Sequence, residues 1–290
     1  MTVSVLVPSS LTREAEDKRE ATRKLGYVAR AATVFRVDRL VVFPDPGGTR
    51  GQFGDGFVET VLRYAATPPY LRKEAWGKRD ELEYAGVLPP LRVSPRTGSG
   101  SDDSGSLRQG IVTEVGSDGR VRVNCGLQHP ISLPAPDGGL SEGERVSIRV
   151  SSRRPVRAKF ADASPPGYVV EASDLSTELS RDDAGIRLAT SRHGEQLSVD
   201  RLGDIVAETD TRGMTVAFGA PERGLPEILD VSPPGGDEGG EETERESTAL
   251  REPDGSRFDL WLNAVPNQGS EVVRTEEAMF AVLACLSLTE

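Results

Sequence analysis

The period of the apolar residues changes twice along this chain of 290 residues. Residues 1–93 alternate apolar runs with helical patterns, residues 107–172 show short strands with a period of two, and the alternating pattern resumes in residues 173–290. Alternating strands and helices build a parallel sheet, whereas closely spaced short strands build a sandwich or a barrel. The sequence therefore predicts a discontinuous α/β domain, formed by residues 1–93 and 173–290, that carries an inserted all-β unit.

The first part of the α/β domain has the pattern of a β-α-β unit. Residues 3–7 (VSVLV) and Leu40–Phe43 are apolar enough to be buried strands, and helical spacing joins them from Thr12 to about Thr33. Thr12 is the predicted N-cap of that helix, because acidic residues follow in its first turn. A glycine-rich turn leads into a second predicted helix, Phe57–Ala66.

Three strands and a helix are predicted in the second part of the domain. The strands are Ile186–Ser191, Met214–Gly219 and Phe258–Leu262. The helix runs from Thr275 to Leu288, with Thr275 as its predicted N-cap and carboxylates in its first turn. Its apolar residues cover a wide arc, which predicts that it packs both on its own sheet and on a second subunit: Met279, Phe280, Val282, Leu283 and Leu286.

The inserted unit follows a Gly/Ser/Asp linker at 94–106 that has nothing apolar to bury. Residues 107–172 contain five or six short strands, which fits an oligonucleotide-binding (OB) barrel. Most arginines on these strands are expected to lie on the solvated outer face of the barrel. A groove that follows RNA phosphates is the alternative for one cluster, although Phe160 is the only aromatic residue beside it: Arg153, Arg154, Arg157 and Lys159.

Acidic residues concentrate in the last part of the chain. The net formal charge is −11, yet residues 1–172 carry 25 basic and 21 acidic residues, against 10 and 25 in residues 173–290. Part of the excess lies in an acidic loop at 232–256, which we predict to be disordered. The charge therefore permits an RNA partner for the first two thirds. Only five of the 35 basic residues are lysines, as in proteins of halophilic archaea, although a GC-rich genome also favours arginine.

Composition argues against several classes of protein. No apolar run is long enough to cross a bilayer, and the N-terminus lacks the positive region of a signal peptide. Two cysteines and two histidines are too few for a disulfide framework or a metal-ligand cluster. We therefore expect a cytoplasmic protein with no membrane partner and no metal.

Three predicted strands end in loops that contain glycine: TSRHG, GAPERG and NAVPNQG. The carboxyl ends of parallel strands meet at one edge of a sheet, where open α/β folds bind ligands. No dinucleotide fingerprint, phosphate-binding loop or nucleophile elbow is present. This edge therefore suits a polar neutral or cationic ligand rather than a nucleotide phosphate.

Several segments together resemble a known family: RKLGYVARAATVFRVDRLVVF, PPYLRK, YAGVLPPL, ATSRHGE, FGAPERGL and NAVPNQGSEVVRTEEA. The chain resembles the SPOUT-class RNA methyltransferases, in the archaeal–eukaryotic branch that carries an OB barrel inserted in a trefoil-knot domain. The last segment is the most specific. The resemblance implies S-adenosylmethionine as cofactor, rRNA or tRNA as substrate, a homodimer, and a knot that includes the loop Asn263–Arg274.

The resemblance also implies which residues hold the cofactor. Members of the family often have arginine where this chain has His193, and threonine where it has Ala264. One wall of the pocket would come from the first loop, a close approach from Gly219, and the adenine and ribose contacts from the third loop: Thr190, Ser191, His193, Gly219, Asn263, Ala264, Val265, Gln268 and Val273.

Two arginines are candidate catalytic residues. LGYVAR resembles the opening motif of the ribose-methylating branch, which implies Arg30 near the target nucleotide; an ordinary helix-surface arginine is the alternative. Arg274 is the second candidate, with helix capping through Glu277 as its alternative. Either cation stabilises the anion that forms when a base nitrogen such as uridine N3 loses its proton. A ribose hydroxyl needs a general base instead, and Glu222 is the one carboxylate in GAPERG, where a solvated turn residue is the favoured interpretation.

The sequence thus predicts an S-adenosylmethionine-dependent RNA methyltransferase that acts on rRNA or tRNA at a base nitrogen. The alternative is a non-catalytic RNA-binding or assembly factor that keeps the knot domain as a dimer scaffold. A pure scaffold does not need the loops at Gly219 and at Asn263–Arg274, so their presence favours the enzyme.

Overall fold

The computed structural model describes residues 1–48, 53–54, 56–89, 106–163, 167–232 and 258–288. The predicted linker at 94–106 and the predicted acidic loop at 232–256 lie outside these residues, except for Ser106 and Ser232. The chain divides into a sheet unit (Met1–Arg63, Glu83–Pro89 and Tyr168–Glu290) and a barrel unit (Tyr64–Leu82 and Pro90–Gly167). None of the described helices is long and apolar enough to span a membrane.

The sheet unit contains a parallel sheet of six strands. Their order across the sheet is β11-β9-β10-β1-β2-β8, and every neighbouring pair is parallel. The strands read as continuous apolar runs because helices and loops bury both faces of such a sheet. They are β1 (Val3–Pro8), β2 (Arg39–Phe43), β8 (Val169–Ala172), β9 (Ile186–Gln196), β10 (Met214–Ala217) and β11 (Leu260–Asn263). The predicted parallel sheet is confirmed.

Helices and turns flank these strands. They are α1 (Lys18–Val34), α2 (Phe57–Ala66), α4 (Leu175–Leu179), α5 (Val199–Arg212), α6 (Leu225–Leu229), α7 (Thr275–Leu286) and a 3-10 turn at Ala85–Val87. One hydrophobic core of the unit packs against the residues of α4 and α6. It includes Leu6, Val41, Phe43, Ala189, Ala217, Leu225, Phe258 and Trp261.

Both predicted helix caps are wrong. The Asp17 carboxylate, not Thr12, caps α1 by accepting the backbone N–H of Glu20 at 2.7 Å. Successive turns occupy the chain before Asp17, and Thr12 is buried among them. Helix α7 has Arg274 at its N-cap position, where the Glu277 carboxylate accepts the Arg274 backbone N–H at 2.9 Å. Thr275 is therefore the first helical residue, and its hydroxyl serves another purpose.

The barrel unit contains a nearly closed, barrel-like antiparallel sheet. Its strand order is β5-β4-β3-β6-β7, and alternate side chains fill its core, including the fully buried Cys125. Burial raises the pKa of the Cys125 thiol. The strands are β3 (Ser106–Val115), β4 (Arg120–Asn124), β5 (Ile131–Pro134), β6 (Arg145–Arg153) and β7 (Val156–Phe160). The structure differs from the expected boundary at residue 172, because β8 pairs with β2 in the parallel sheet.

A segment that precedes the barrel in the chain, Tyr64–Leu82, belongs to the barrel unit. It contains α3 (Arg72–Ala75) and a 3-10 turn at Asp80–Leu82. The Tyr70 hydroxyl donates to the Gln109 carbonyl oxygen at 2.8 Å, and its ring covers Gly126, where a Cβ atom would lie 2.8 Å from the ring. Arg145 of β6 donates to the Thr67 hydroxyl at 3.0 Å. This segment, which we call the strap, therefore packs directly on the strands.

Candidate active site

A cavity of about 490 Å³ opens at the carboxyl ends of β9, β10 and β11. The loops GAPERG and NAVPNQG form two of its walls, together with the first turns of α6 and α7. The third predicted loop, TSRHG, instead lies inside β9, where the register of β9 with β11 shifts. All nine residues that the resemblance assigns to the cofactor line it: Thr190, Ser191, His193, Gly219, Asn263, Ala264, Val265, Gln268 and Val273. The structure therefore brings together residues that lie up to 83 positions apart in the chain.

The first wall is the second half of β9. The Thr190 hydroxyl donates to the Ala217 carbonyl oxygen at 3.0 Å, which ties β9 to β10 below the cavity. His193 is exposed, and its Nε2 atom accepts from Arg192 Nε at 3.1 Å. Sequence reasoning missed Gly194, where a Cβ atom would lie 2.8 Å from the backbone of Trp261 and Leu262. Glycine at 194 lets β9 and β11 approach each other.

The second wall is the loop after β10. A Cβ atom on Gly219 would lie 2.9–3.0 Å from the backbone of Arg223, Gly224 and Leu225, so the loop itself needs glycine there, whether or not a ligand is bound. Glu222 takes the left-handed conformation, with φ at 58°, within this tight turn. The Thr275 hydroxyl donates to the Gly219 carbonyl oxygen at 2.7 Å. That bond joins the second loop to the start of α7.

The third wall is the loop between β11 and α7. Asn263 accepts the Val265 N–H at 3.0 Å through Oδ1 and donates to the Arg192 carbonyl oxygen at 2.9 Å through Nδ2. Gln268 Nε2 donates to the carbonyl oxygens of Ser270 and Glu271, at 2.9 and 3.3 Å. Both amides thus hold the loop in shape.

A buried ion pair beside the cavity was not found from the sequence. Arg223, in the cavity wall, donates through Nε to the Asp45 carboxylate at 3.0 Å and through Nη1 to Glu227 at 2.8 Å. The Ser10 hydroxyl donates to the same Asp45 carboxylate at 2.6 Å. Burial would raise the pKa of Asp45, but the bonds from Arg223 and Ser10 lower it below the usual value. The only signal in the sequence is the glycine-rich turn after β2.

The two arginines predicted to be catalytic lie outside the cavity wall. Arg30 is on the exposed face of α1. The Arg274 side chain is half exposed, and its Nε atom lies 3.5 Å from Glu14 Oε1. The same Glu14 carboxylate accepts from Lys24 Nζ at 2.7 Å. Lys24 is nearly buried.

A model of one protein family, described as "Putative RNA methyltransferase", matches residues 2–286. The chain belongs to this family of RNA methyltransferases. It is 70% identical to an uncharacterized protein of Haloarcula marismortui and 67% identical to one of Halobacterium salinarum, in both cases over 100% of each chain. It is also 30% identical to the human 28S rRNA (uridine-N(3))-methyltransferase, over 98% of this chain and 77% of the human protein. The predicted enzyme class is confirmed.

The first turn of α7 contains a buried carboxyl group, Glu276, which is 7% exposed. Burial raises its pKa above the usual value, and Glu14 and Glu277 raise it further, against a lowering by Lys24 and its own backbone. The folded state therefore binds the proton more tightly than the unfolded state. Because stability falls with pH wherever the folded state binds more protons, ionisation of Glu276 destabilises the fold as pH rises through its folded pKa.

We expect Glu276→Gln to be more stable than the wild-type protein at pH 7. The gain should vanish below the ordinary glutamate pKa and appear as pH rises, because only then does the wild-type carboxyl have to ionise in the folded state. Urea unfolding at several pH values measures this difference. Glu277→Gln is the matched control, since glutamine still accepts the Arg274 N–H. If the difference in the free energy of unfolding between Glu276→Gln and the wild type stays constant from pH 4 to pH 7, the raised pKa of Glu276 is wrong.

Proposed function

We propose that this protein transfers a methyl group from S-adenosylmethionine to N3 of a uridine in rRNA. The observation that carries the proposal is the cavity at the carboxyl edge of the parallel sheet, formed by two loops and the second half of β9 in a chain of the RNA methyltransferase family. The human relative is named for uridine N3 of 28S rRNA, and its similarity extends over 98% of this chain.

The cavity fits this methyl donor in size and chemistry. About 490 Å³ is within the usual range for small-molecule sites. Apolar side chains such as Leu262, Val265 and Val282 suit the adenine ring, and exposed backbone groups of the loop after β11 suit its polar edge. Carboxylates of Glu222 and Glu271 in the wall favour a ligand with a positive charge. S-adenosylmethionine, when bound, supplies an electrophilic methyl group on a sulfonium.

We further propose that the loop Asn263–Arg274 belongs to a trefoil knot. The support is indirect: this loop is fixed at both ends, by the two Asn263 bonds and by the bond from Thr275 to the Gly219 carbonyl oxygen. A loop held in this way keeps its backbone groups oriented toward the cavity without a ligand. Positioning then contributes most of the rate, because methyl transfer needs an in-line approach.

The barrel unit is the proposed RNA-binding module, with the OB fold as its proposed topology. The order β5-β4-β3-β6-β7 contains a three-strand meander followed by a crossing to β6, as in that Greek-key barrel. Arg153 ends β6, Arg154 lies in the β6–β7 turn, and OB folds bind oligonucleotides through the loop at this place. The strap adds aromatic rings to Phe160 of β7, since Tyr64 and Trp76 pack edge to face. Arg72 lies over the Tyr64 ring and Arg79 over the Trp76 ring.

A homodimer is the proposed assembly. Helix α1 exposes Tyr27 and Val34, which are 48% and 44% exposed, beside Phe280 of α7, which packs edge to face on Phe35. Arg30 lies on the same exposed side of α1. A second subunit that covers this face contacts Arg30. Arg30, which is remote from the cavity of its own chain, then acts in the cavity of the partner.

The proposed reaction predicts a specific product. Incubation with large-subunit rRNA and labelled S-adenosylmethionine should give 3-methyluridine, measured by mass spectrometry of the digested RNA, with tRNA as a second substrate. Gly219→Val should abolish it, because the added atoms collide with the backbone of its own loop. Gly203→Ala is the control, since a Cβ atom there meets nothing within 4 Å. A product methylated on the ribose would refute N3 of uridine as the methyl acceptor. A wild-type protein that binds no S-adenosylhomocysteine in calorimetry would favour the non-catalytic RNA-binding factor.

Neutralising the arginine cluster should weaken RNA binding. In Arg153→Gln/Arg154→Gln/Arg157→Gln, three lost phosphate contacts reduce the slope of log affinity against log salt by ~2, at ~0.7 per contact for single strands. Filter binding across a KCl series measures the slope. Arg181→Gln/Arg212→Gln, in the sheet unit, is the control. Substitution is preferable to deletion of the barrel, because deletion would expose the inner face of the strap. An unchanged slope would refute this RNA site.

The dimer predicts a matched pair of surface variants. Tyr27→Glu/Val34→Glu should give monomers in sedimentation velocity at micromolar concentration, since charge would be buried in the apolar interface. Val199→Glu changes a residue that is 87% exposed on α5 and should leave the mass unchanged. A wild-type protein that sediments as a monomer would refute the dimer.

A further inference from the structure

Arg223 is a cation held rigidly in the cavity wall. Its side chain is 14% exposed, and that of its partner Asp45 is fully buried. Besides the Nε bond, Arg223 Nη2 donates to Asp45 Oδ1 at 3.2 Å, so the carboxylate holds the guanidinium plane at two points. Together with the Glu227 contact these bonds engage three of the five N–H groups. Within the described part of the chain, one N–H on each terminal nitrogen remains for another acceptor.

The surrounding loops determine the orientation of this guanidinium. Ser10 follows β1, Asp45 follows β2 and Arg223 follows β10, so three separate strands contribute. A Cβ atom on Gly47 would lie 2.4 Å from Arg223 Nη2, and one on Gly48 would lie 2.5 Å from Ser10 Cβ. The glycines of the turn after β2 thus let the backbone close around the ion pair. The arrangement is that of a preorganised charge rather than a surface arginine.

The other charges of the wall do not duplicate this cation. Arg192 is exposed and donates to His193, while Glu222, Glu227 and Glu271 are carboxylates. The hydrogen bond that Arg223 donates to Asp45 raises the pKa of Arg223, which keeps its charge at any working pH. Arg223 is therefore the shielded, permanent positive charge among the described residues of the wall.

We propose that Arg223 binds a carbonyl oxygen of the target uridine and stabilises the anion that forms when N3 loses its proton. This inference rests on the proposed function. The charge of a deprotonated imide spreads over N3 and its two flanking carbonyl oxygens, so a guanidinium at either oxygen lowers the cost of ionisation. Asp45 and Ser10 are positioning residues, because they act on the substrate only through Arg223.

The step balances without a further reactant. The N3 proton passes to water or hydroxide, which leaves the lone pair on N3. That lone pair forms the bond from N3 to the methyl carbon, the bond from that carbon to sulfur breaks, and sulfur keeps the electron pair as a neutral thioether. Arg223 stays protonated throughout.

The test compares two RNA substrates. Arg223→Gln should lower kcat on uridine RNA by about 100-fold to 1,000-fold, as for loss of one preorganised donor to a developing anion. On the same RNA made with 5-fluorouridine, whose N3 is more acidic, the deficit should shrink at least about tenfold, because less stabilisation is needed. Asp45→Asn should lower kcat less than Arg223→Gln does, and its loss of kcat should also be smaller on 5-fluorouridine RNA than on uridine RNA. Arg223→Lys should recover part of the kcat that Arg223→Gln loses.

Calorimetry with S-adenosylhomocysteine separates this role from a structural one. Arg223→Gln should bind it within about threefold of the wild-type affinity. The control is Arg187→Gln, which removes an Arg–Asp pair of similar geometry, with Nε 3.0 Å from Asp259, at the start of β9 and away from the cavity. Its kcat should stay within about twofold of the wild type.

Four results would overturn the proposal in distinguishable ways. Equal deficits on uridine and 5-fluorouridine RNA would assign Arg223 to folding of the loop. Loss of S-adenosylhomocysteine binding in parallel with kcat would assign it to the methyl donor. A wild-type protein that forms no 3-methyluridine would overturn the proposed function and this inference with it, whereas an active wild type with an equally active Arg223→Gln would overturn the inference alone.

Discussion

Parallel pairing of all six strands is the constraint on which the site depends. It places the carboxyl ends of β1, β2, β9, β10 and β11 at one edge of the sheet, so that loops from distant parts of the chain converge there. Asp45 and Arg223 are 178 residues apart and nevertheless form a bidentate pair. Neither the cavity nor the ion pair would exist if one of these strands ran in the opposite direction.

The walls of the cavity also require a close approach between backbone segments. Two glycines and the hydroxyl group of Thr275 make this approach possible. Gly194 and Gly219 occupy positions where a Cβ atom would lie 3.0 Å or less from another backbone segment. The Thr275 hydroxyl satisfies the carbonyl oxygen of Gly219, which would otherwise be a polar group beside an apolar helix. The walls are therefore built from backbone groups at fixed positions, while most side chains of the loops hold the loops themselves.

Local signals in the sequence were enough for much of this architecture. Periodicity located Leu40–Phe43, Phe57–Ala66 and the start of α7, because strands and helices with strong apolar patterns depend little on distant contacts. The resemblance supplied the cavity residues, which periodicity alone cannot choose. The caps failed for a local reason: several residues near Thr12 have capping side chains, and only the turns that precede Asp17 decide between them.

Other features were out of reach because they depend on tertiary contacts. No sequence pattern in Tyr64–Leu82 predicts that this segment packs on the strands that begin at Ser106. The segment contacts those strands through single hydrogen bonds and through one tyrosine ring over a glycine. The Ser10–Asp45–Arg223 cluster likewise consists of common residue types, and only the strand order brings them together. The location of Arg30 outside the cavity wall was equally invisible, because an exposed and a catalytic arginine look alike in a helix pattern.

The division of the chain between the two units has a consequence for synthesis on the ribosome. Every residue of the barrel unit precedes Tyr168, whereas β9, β10 and β11 follow it. The barrel unit can thus complete its core while β1 still lacks β10, its neighbour on one side. Until residue 217 has emerged, one edge of β1 is an unpaired apolar strand, which is the kind of edge that chaperones protect. The nascent chain is therefore most vulnerable to aggregation in its oldest segment rather than its newest.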